Sequence, residues 1–383
     1  MPRERTRRRP QSAASAAQWQ PPPLPRTWLP CPVPAGAPAT QSSVRVLSWN
    51  LLADTLCREH RRELYPDQSW QVLDGKCRLD AATDEIVRHK PTLACLQEVD
   101  NDASLRSRLE PHGYDVAFAR RTGGRADGCA LVWRRDAATP VEPVFSLNMR
   151  DLGLKDNVLQ LATFALTHTQ RLLCVANTHV LFNPKRGDVK LAQVRVACDA
   201  LAALAKRHNN APALFCGDFN ATPGSPLHTF AVGGALDVAR VRRKDVSGQL
   251  VPSGSSPSPE TAVPNEPWTA AAARNGWDDA DSLARALNGA PDGVARHALA
   301  DAPLRSAYAA AGAGGLHGEA PWTSAHRKFF GTCDYVLYTP PLVATRVLLP
   351  PDARSLQPGA GGSLLPNRRW PSDHVSLVAE FAM

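Results

Sequence analysis

No C-x-x-C pair occurs in this sequence, although it carries nine cysteines among 383 residues. Several of them, including Cys95, Cys174 and Cys216, lie in apolar strand-like runs where a thiol packs as a small hydrophobe, so the pattern predicts a reducing compartment. No apolar run approaches the roughly 20 residues that cross a bilayer, so a soluble protein with no membrane partner is expected. Acidic residues are almost missing from positions 1–43, where Glu4 stands alone against Arg3, Arg5, Arg7, Arg8 and Arg9. After Ala and Ser this stretch turns Pro-rich, and it is expected not to pack. It reads first as a disordered basic arm, compatible with a nuclear-import signal, and second as an organellar transit peptide. The expected location is therefore cytoplasm or nucleus, with chloroplast or mitochondrion as the alternative.

What is present bounds the class. A hydrophobic fraction of 43% supports a sizeable core, and a net charge of +8 with a pI near 9.2 fits a polyanionic partner, nucleic acid first. The domain is expected to start at Val44 and run to 383. Strands are predicted over Val44–Asn50, Thr92–Glu98, Tyr114–Ala119, Gly128–Arg134, Val158–Leu166 and Arg171–Thr178. A helix carrying Leu79, Ala82, Ile86 and Val87 should stop at Pro91. A second has Asp188 as its expected N-cap and the stripe Leu191, Val194, Cys198, Leu201 and Ala205. Residues 240–320 are Pro-, Ser-, Ala- and Gly-rich around short helical pieces, and read as a variable insertion loop and not a second domain. Order returns with Lys328–Tyr338, Val343–Leu349 and Val375–Phe381.

The run Ala213-Leu-Phe-Cys-Gly-Asp-Phe-Asn220 is the centre of the chain. A buried strand there ends in a carboxylate and a carboxamide, which strand alternation should place on one face. Such a pair suits phosphate chemistry: Asp218 orients or deprotonates a water, and Asn220 donates to a phosphoryl oxygen without adding negative charge. An Asx-turn leaving a strand is the plain alternative. Asn50, Glu98 and His179 also stand where predicted strands end.

Ser48-Trp-Asn50, Leu96-Gln-Glu98, Asn177-Thr-His179, Gly217-Asp-Phe-Asn220, Asp334-Tyr-Val336 and Ser372-Asp-His374 occur in the order of the endonuclease/exonuclease/phosphatase superfamily, and the chain resembles that superfamily from Val44 to Met383. Residues 179–193, together with Val246-Ser-Gly-Gln249, Leu304–Tyr308 and His326–Thr332, are similar to the carbon catabolite repressor protein 4 (deadenylase), angel and nocturnin group. They look most like the angel proteins and the plant carbon catabolite repressor protein 4 homologues. The leucine-rich repeat segment of the yeast-type deadenylase is not in this sequence. The resemblance implies an α/β fold, a four-layer, deoxyribonuclease I-like sandwich of two mostly antiparallel sheets flanked by helices. It implies Mg²⁺, or Mn²⁺, held by Glu98 with Asn50 beside it and Asp373 joining. It also implies Asp218 as the residue that activates water, Asn220 on the phosphate, His179 toward the phosphate or the leaving oxygen, and His374 kept protonated by Asp334.

For the substrate, Phe329 matches a base-stacking aromatic of the deadenylases and Pro184 an adenine-contacting loop, while Lys185, Arg186, Arg368 and Arg369 are candidates for phosphate contacts. The first expectation is a Mg²⁺-dependent 3′-to-5′ exoribonuclease acting on poly(A)-type RNA ends. The alternatives are an angel-type RNA 2′,3′-cyclic phosphatase, a nocturnin-like phosphatase of nucleotide cofactors, and a non-catalytic RNA-associated scaffold.

Overall fold

Apolar strands of this chain pair into two seven-stranded sheets. The computed structural model describes residues 26–32, 43–250, 266–356 and 364–383. Most of the Arg- and Pro-rich start lies outside the described residues. In the first sheet the strands run in the order Trp28–Pro30, Val343–Leu348, Leu377–Ala382, Ser43–Asn50, Leu93–Val99, Gly128–Arg134 and Tyr114–Arg120. In the second the order is Arg305–Ser306, Asp334–Tyr338, Ala213–Asp218, Leu172–His179, Val158–Leu166 and Ala138–Pro140, with Phe145–Asn148 also paired to Val158–Leu166.

The alternation of side chains along each strand explains the layering. Val44 and Val46 face inward with Leu93, Cys95 and Leu131, against Phe164, Val175, Leu214, Cys216 and Val336 of the other sheet. Leu47 and Trp49 face outward, under Ala82 and Ile86 of the helix Gly75–His89. That helix ends at a left-handed Lys90 just before Pro91, which cannot continue it. On the far side Leu191, Val194, Cys198 and Leu201 of the helix Gly187–Arg207 cover Leu159, Ala176, Phe215 and Leu337. Each buried Leu, Val or Phe contributes about 1.5–3 kcal/mol. A buried amide chain joins the sheets near the site: Gln97 Nε2 donates to Asn177 Oδ1 at 2.8 Å, and Asn177 Nδ2 donates to Gln160 Oε1 at 3.1 Å. All nine cysteines are free, and among the described residues no helix is long and apolar enough to cross a membrane.

Three expectations are corrected here. Residues 26–32 do pack: Trp28–Pro30 adds an edge strand, and Arg26 donates to the carbonyls of Leu348, Leu349 and Ser376 and pairs with Glu85 at 3.5 Å. Composition could not show this, because Trp28, Leu29 and Cys31 find their apolar neighbours, and Arg26 its acceptors, only where the fold lays the end of the chain beside them. The stretch 240–320 is more than an insertion loop with short helical pieces, because those pieces join the core. Its helices Trp268–Arg274 and Ala280–Leu287 and the strand Val294–Arg296 pack against Gly187–Arg207 and Ala235–Asp237, although 251–265 lies outside the described residues. Asp188 is no N-cap; it takes a two-pronged contact from Arg186, the residue that does occupy that position.

Candidate active site

One pair of parallel strands lies inside each otherwise antiparallel sheet, and these two pairs assemble the site. Parallel neighbours end at the same edge, so their last residues emerge side by side. In the first sheet Ser43–Asn50 runs parallel to Leu93–Val99 and delivers Asn50 and Glu98. In the second, Leu172–His179 runs parallel to Ala213–Asp218, with Asp218 directly opposite His179. Asp334 faces Asp218 across the next, antiparallel pairing. His374 enters just ahead of the Leu377–Ala382 strand, whose Leu377 lies beside Ser48.

The polar ends interlock. Asn50 Nδ2 donates to Glu98 Oε1 at 3.0 Å and to Asp218 Oδ2 at 3.1 Å, while its Oδ1 accepts from the Leu52 amide. Glu98 Oε2 accepts from the Ala53 amide at 3.0 Å, and Glu98 itself holds a left-handed φ of 54°. Strain of this kind gathers at functional positions. Asp218 Oδ1 accepts from the Asn220 amide at 2.8 Å, so the Asx-turn is real and is also the device that builds the site. The strand ends at Asp218 and Asn220 sits in the turn at φ 48°, so a turn and not strand alternation brings the two together. Asn220 Nδ2 donates to the Val180 carbonyl and contacts His179 Nε2 at 2.9 Å. An amide nitrogen only donates, so His179 Nε2 accepts and its proton sits on Nδ1, which has no hydrogen-bond partner and lies 3.9 Å from Glu98 Oε1.

His374 Nδ1 lies 2.8 Å from Asp334 Oδ2, and its Nε2 lies 3.8 Å from Asp218 Oδ2. Burial by itself would lower the His374 pKa, but the Asp334 carboxylate, with Cys333 and Asp373 behind it, outweighs burial and raises it well above 6.5. Thr323 Oγ1 also donates to Asp334 Oδ2, at 2.5 Å, and fixes that carboxylate. Burial raises the Glu98 pKa, opposed by His179 and reinforced by Asp373.

Asn50, Glu98, His179, Asp218, Asn220, Asp334 and His374 therefore form one cluster, as the motifs implied. Asp373 borders it, its Oδ2 accepting from Tyr65 OH at 2.7 Å. The donor set fits a hard divalent cation: the Glu98 and Asp218 carboxylates are linked through one Asn50 amide, and among the described residues the bases within ion-pair distance of them are His179 and His374. Asn50 presents its NH₂ to the two acids, so its oxygen reaches a cation only after the amide turns over. Asp218, Cys333, Asp334 and His374 also converge, with ligand atoms within 4.8 Å of one another. Sulfur and nitrogen do not suit Mg²⁺, and the Asp334–His374 hydrogen bond already uses two of those atoms.

Among the substrate candidates, Phe329 is partly exposed and joins the site through a row of rings. It lies 6.2 Å from His326, which lies 6.5 Å from Tyr65, the Asp373 partner. Pro184 is partly exposed, and Lys185, Arg368 and Arg369 are exposed. Arg186 is not available for phosphate: it is tied to Asp188, Asp279 and Ser282, because the packed 266–296 segment supplies an acid that the sequence placed far away. Tyr65, His326 and Lys190 are site neighbours that sequence reasoning missed. Only Lys190 left a signal, a cation one turn before Val194 on the apolar stripe of its helix.

Acids, amides and histidines gathered at one edge of a two-sheet sandwich define a hydrolase of phosphate esters. The chain belongs to the Endonuclease/Exonuclease/phosphatase family, whose sequence pattern matches residues 47–374. It is 34% identical over 393 residues to the carbon catabolite repressor protein 4 homolog 3 of Arabidopsis thaliana, covering 95% of this chain and 83% of that protein. It is 36% identical over 218 residues to the human protein angel homolog 2, covering 53% of this chain and 39% of that protein. Among solved structures, that of ANGEL2, a 2′,3′-cyclic phosphatase, in complex with adenosine-2′,3′-vanadate, matches with a TM-score of 0.73 and 27% identity over 94% of this chain and 98% of that one. The human nocturnin catalytic domain shares the fold, with a TM-score of 0.56 at 22% identity over 94% of this chain and 99% of that one.

Proposed function

We propose that this hydrolase works with a divalent cation at the 3′ end of RNA, removing a terminal 2′,3′-cyclic phosphate. The observation that carries this reading is the likeness to ANGEL2 across 94% of the chain, combined with a site whose residues suit attack of water on phosphorus. Glu98, with Asn50 beside it, would hold Mg²⁺ or Mn²⁺. Such an ion offsets the repulsion between an attacking water and an anionic phosphate.

The remaining work falls to the chain's own groups. Asp218 accepts the proton of the attacking water on Oδ2, which Asn50 Nδ2 orients at 3.1 Å while the Asn220 amide holds Oδ1. Asn220 Nδ2 turns from His179 to a non-bridging phosphoryl oxygen, and His179 follows the same phosphate. His374, kept charged by Asp334, donates to the ribose oxygen that leaves as the first P–O bond breaks and the ring opens. A second water, activated in the same way, then breaks the remaining ester bond and releases inorganic phosphate. Exposed Lys185, Arg368 and Arg369 track the phosphate chain.

A second reading, 3′-to-5′ trimming of an A-rich tail, is favoured by the ring row Tyr65, His326 and Phe329, on which terminal bases would stack. One assay separates the two. The protein is incubated with Mg²⁺ and either a cyclic-phosphate-ended RNA or an A-tailed RNA, then again after EDTA. Loss of cyclic phosphate at constant length supports the first reading, and tail shortening supports the second. Activity on neither RNA, with or without Mg²⁺, refutes both. The Arg-rich start is proposed to set the compartment, and fusion of the first ~45 residues to a fluorescent reporter tests it.

A further inference from the structure

Lys190 is fully buried, at 0% exposure, yet both of its hydrogen-bond partners are neutral oxygens. Its Nζ donates to the Asn220 carbonyl at 2.7 Å and to Gln249 Oε1 at 3.0 Å. Buried charges are ordinarily paired with opposite charge. This one also sits in the first turn of the helix Gly187–Arg207, where the helix dipole disfavours a cation. Burial pulls the amine down to about 7, with only the more distant Asp218 and Cys333 opposing it. A side chain placed at such expense to stability is expected to serve something other than the fold.

The surroundings are built to hold it there. Residues 243–249 are wedged between the start of the Lys190 helix and the turn that follows Asn220. A Cβ on Gly187 would lie 2.0 Å from the Arg243 carbonyl oxygen, and one on Gly248 would lie 2.1 Å from Thr222 Oγ1. The Thr222 amide donates to the Ser247 carbonyl, and the Leu227 amide to that of Val246. Gln249 emerges from this wedge with Oε1 on Lys190 and Nε2 3.5 Å from Asn220 Oδ1. Every polar atom of Asn220 is thus engaged: its amide by Asp218, its carbonyl by Lys190, and its side chain by Val180, His179 and Gln249.

We infer that Lys190 and Gln249 are positioning residues that hold Asn220 in its left-handed turn, with its carboxamide set for the phosphate. The motif Val246-Ser-Gly-Gln249 is then part of the active-site wall and not of an insertion. This inference rests on the proposed role of Asn220, so its test needs a readout independent of turnover. In the substitution Lys190→Met the charge is gone but the volume is kept. kcat is expected to fall about 10²-fold, the loss that follows a misplacement near 1 Å, with KM unchanged and Tm equal to or above that of the wild type. A crystal structure of the variant should show the Asn220 carboxamide displaced from His179. Wild-type kcat, or an unmoved Asn220, overturns the inference. If Lys190→Met does not fold, Gln249→Leu is to lower kcat at an unchanged Tm, and wild-type kcat in that variant overturns it equally. If the wild type hydrolyses neither RNA, the proposed function fails, while the position of Asn220 in the variant crystal still decides whether Lys190 holds it.

Discussion

Asp334, on a strand of the second sheet, and His374, 40 residues later and just ahead of the first sheet's strand Leu377–Ala382, meet through a 2.8 Å contact between Oδ2 and Nδ1. The pair ties the two sheets at their open edge and stores a proton beside Asp218. The carboxylate reverses what burial alone would do to the imidazole, so the ring stays charged above its ordinary 6.5.

Asp334→Asn removes the strongest influence opposing burial, leaving Cys333 and Asp373 against it, so the His374 pKa falls. The alkaline limb of kcat/KM should move to lower pH, with a loss of roughly 10²-fold near pH 8 and partial recovery at acid pH. The linkage has the matching sign: a raised folded-state pKa adds stability below the unfolded value, and this is lost as pH rises through the folded one. A pH–rate profile that superimposes on that of the wild type contradicts the assignment.

Asp218→Asn keeps the turn acceptor for the Asn220 amide but cannot take a proton. The rate should fall by at least ~10² with an unchanged melting temperature, as for loss of a general base. Purified, metal-loaded variant with full activity would remove Asp218 from that role.

Glu98→Gln leaves the Asn50 bridge in place while deleting a charge from the donor set. Calorimetric titration with Mg²⁺ or Mn²⁺ should show affinity reduced by at least ~10-fold, in line with the dependence of hard cations on carboxylate charge. Equal affinity in variant and wild type places the cation elsewhere.

Arg26→Met breaks the contact with Glu85, whose side chain is 5% exposed. Burial would raise the Glu85 pKa, but His89, Arg26 and Arg88 hold it down at about 2. Removing one partner of such a buried pair should destabilise the protein by about 3–5 kcal/mol in denaturant unfolding. A depressed carboxylate contributes stability above its unfolded pKa of 4.5, and this is lost as pH falls toward 2. The difference between wild type and variant should therefore shrink over that interval. A variant as stable as the wild type at neutral pH would show that residues 26–32 are not anchored by Arg26.

Much of this protein was readable without coordinates. Runs such as Gly128–Arg134 and Val158–Leu166 are short, nearly continuous apolar stretches set between Gly-rich or charged loops, too short for a typical helix and readable as strands buried on both faces. The motif ends Asn50, Glu98, His179 and Asp218 follow from the same pattern, since each is the polar residue at which an apolar strand stops. What composition hid was pairing over distance. Arg26 on Glu85, Arg186 on Asp279, and Lys190 beneath Asn220 depend on which segments the fold lays side by side. A charged side chain looks the same in a sequence whether water or a buried acid surrounds it. Short apolar runs bounded by turn residues determined the strands and their polar ends; only the tertiary structure decided which charges were taken out of water and what they were given in exchange.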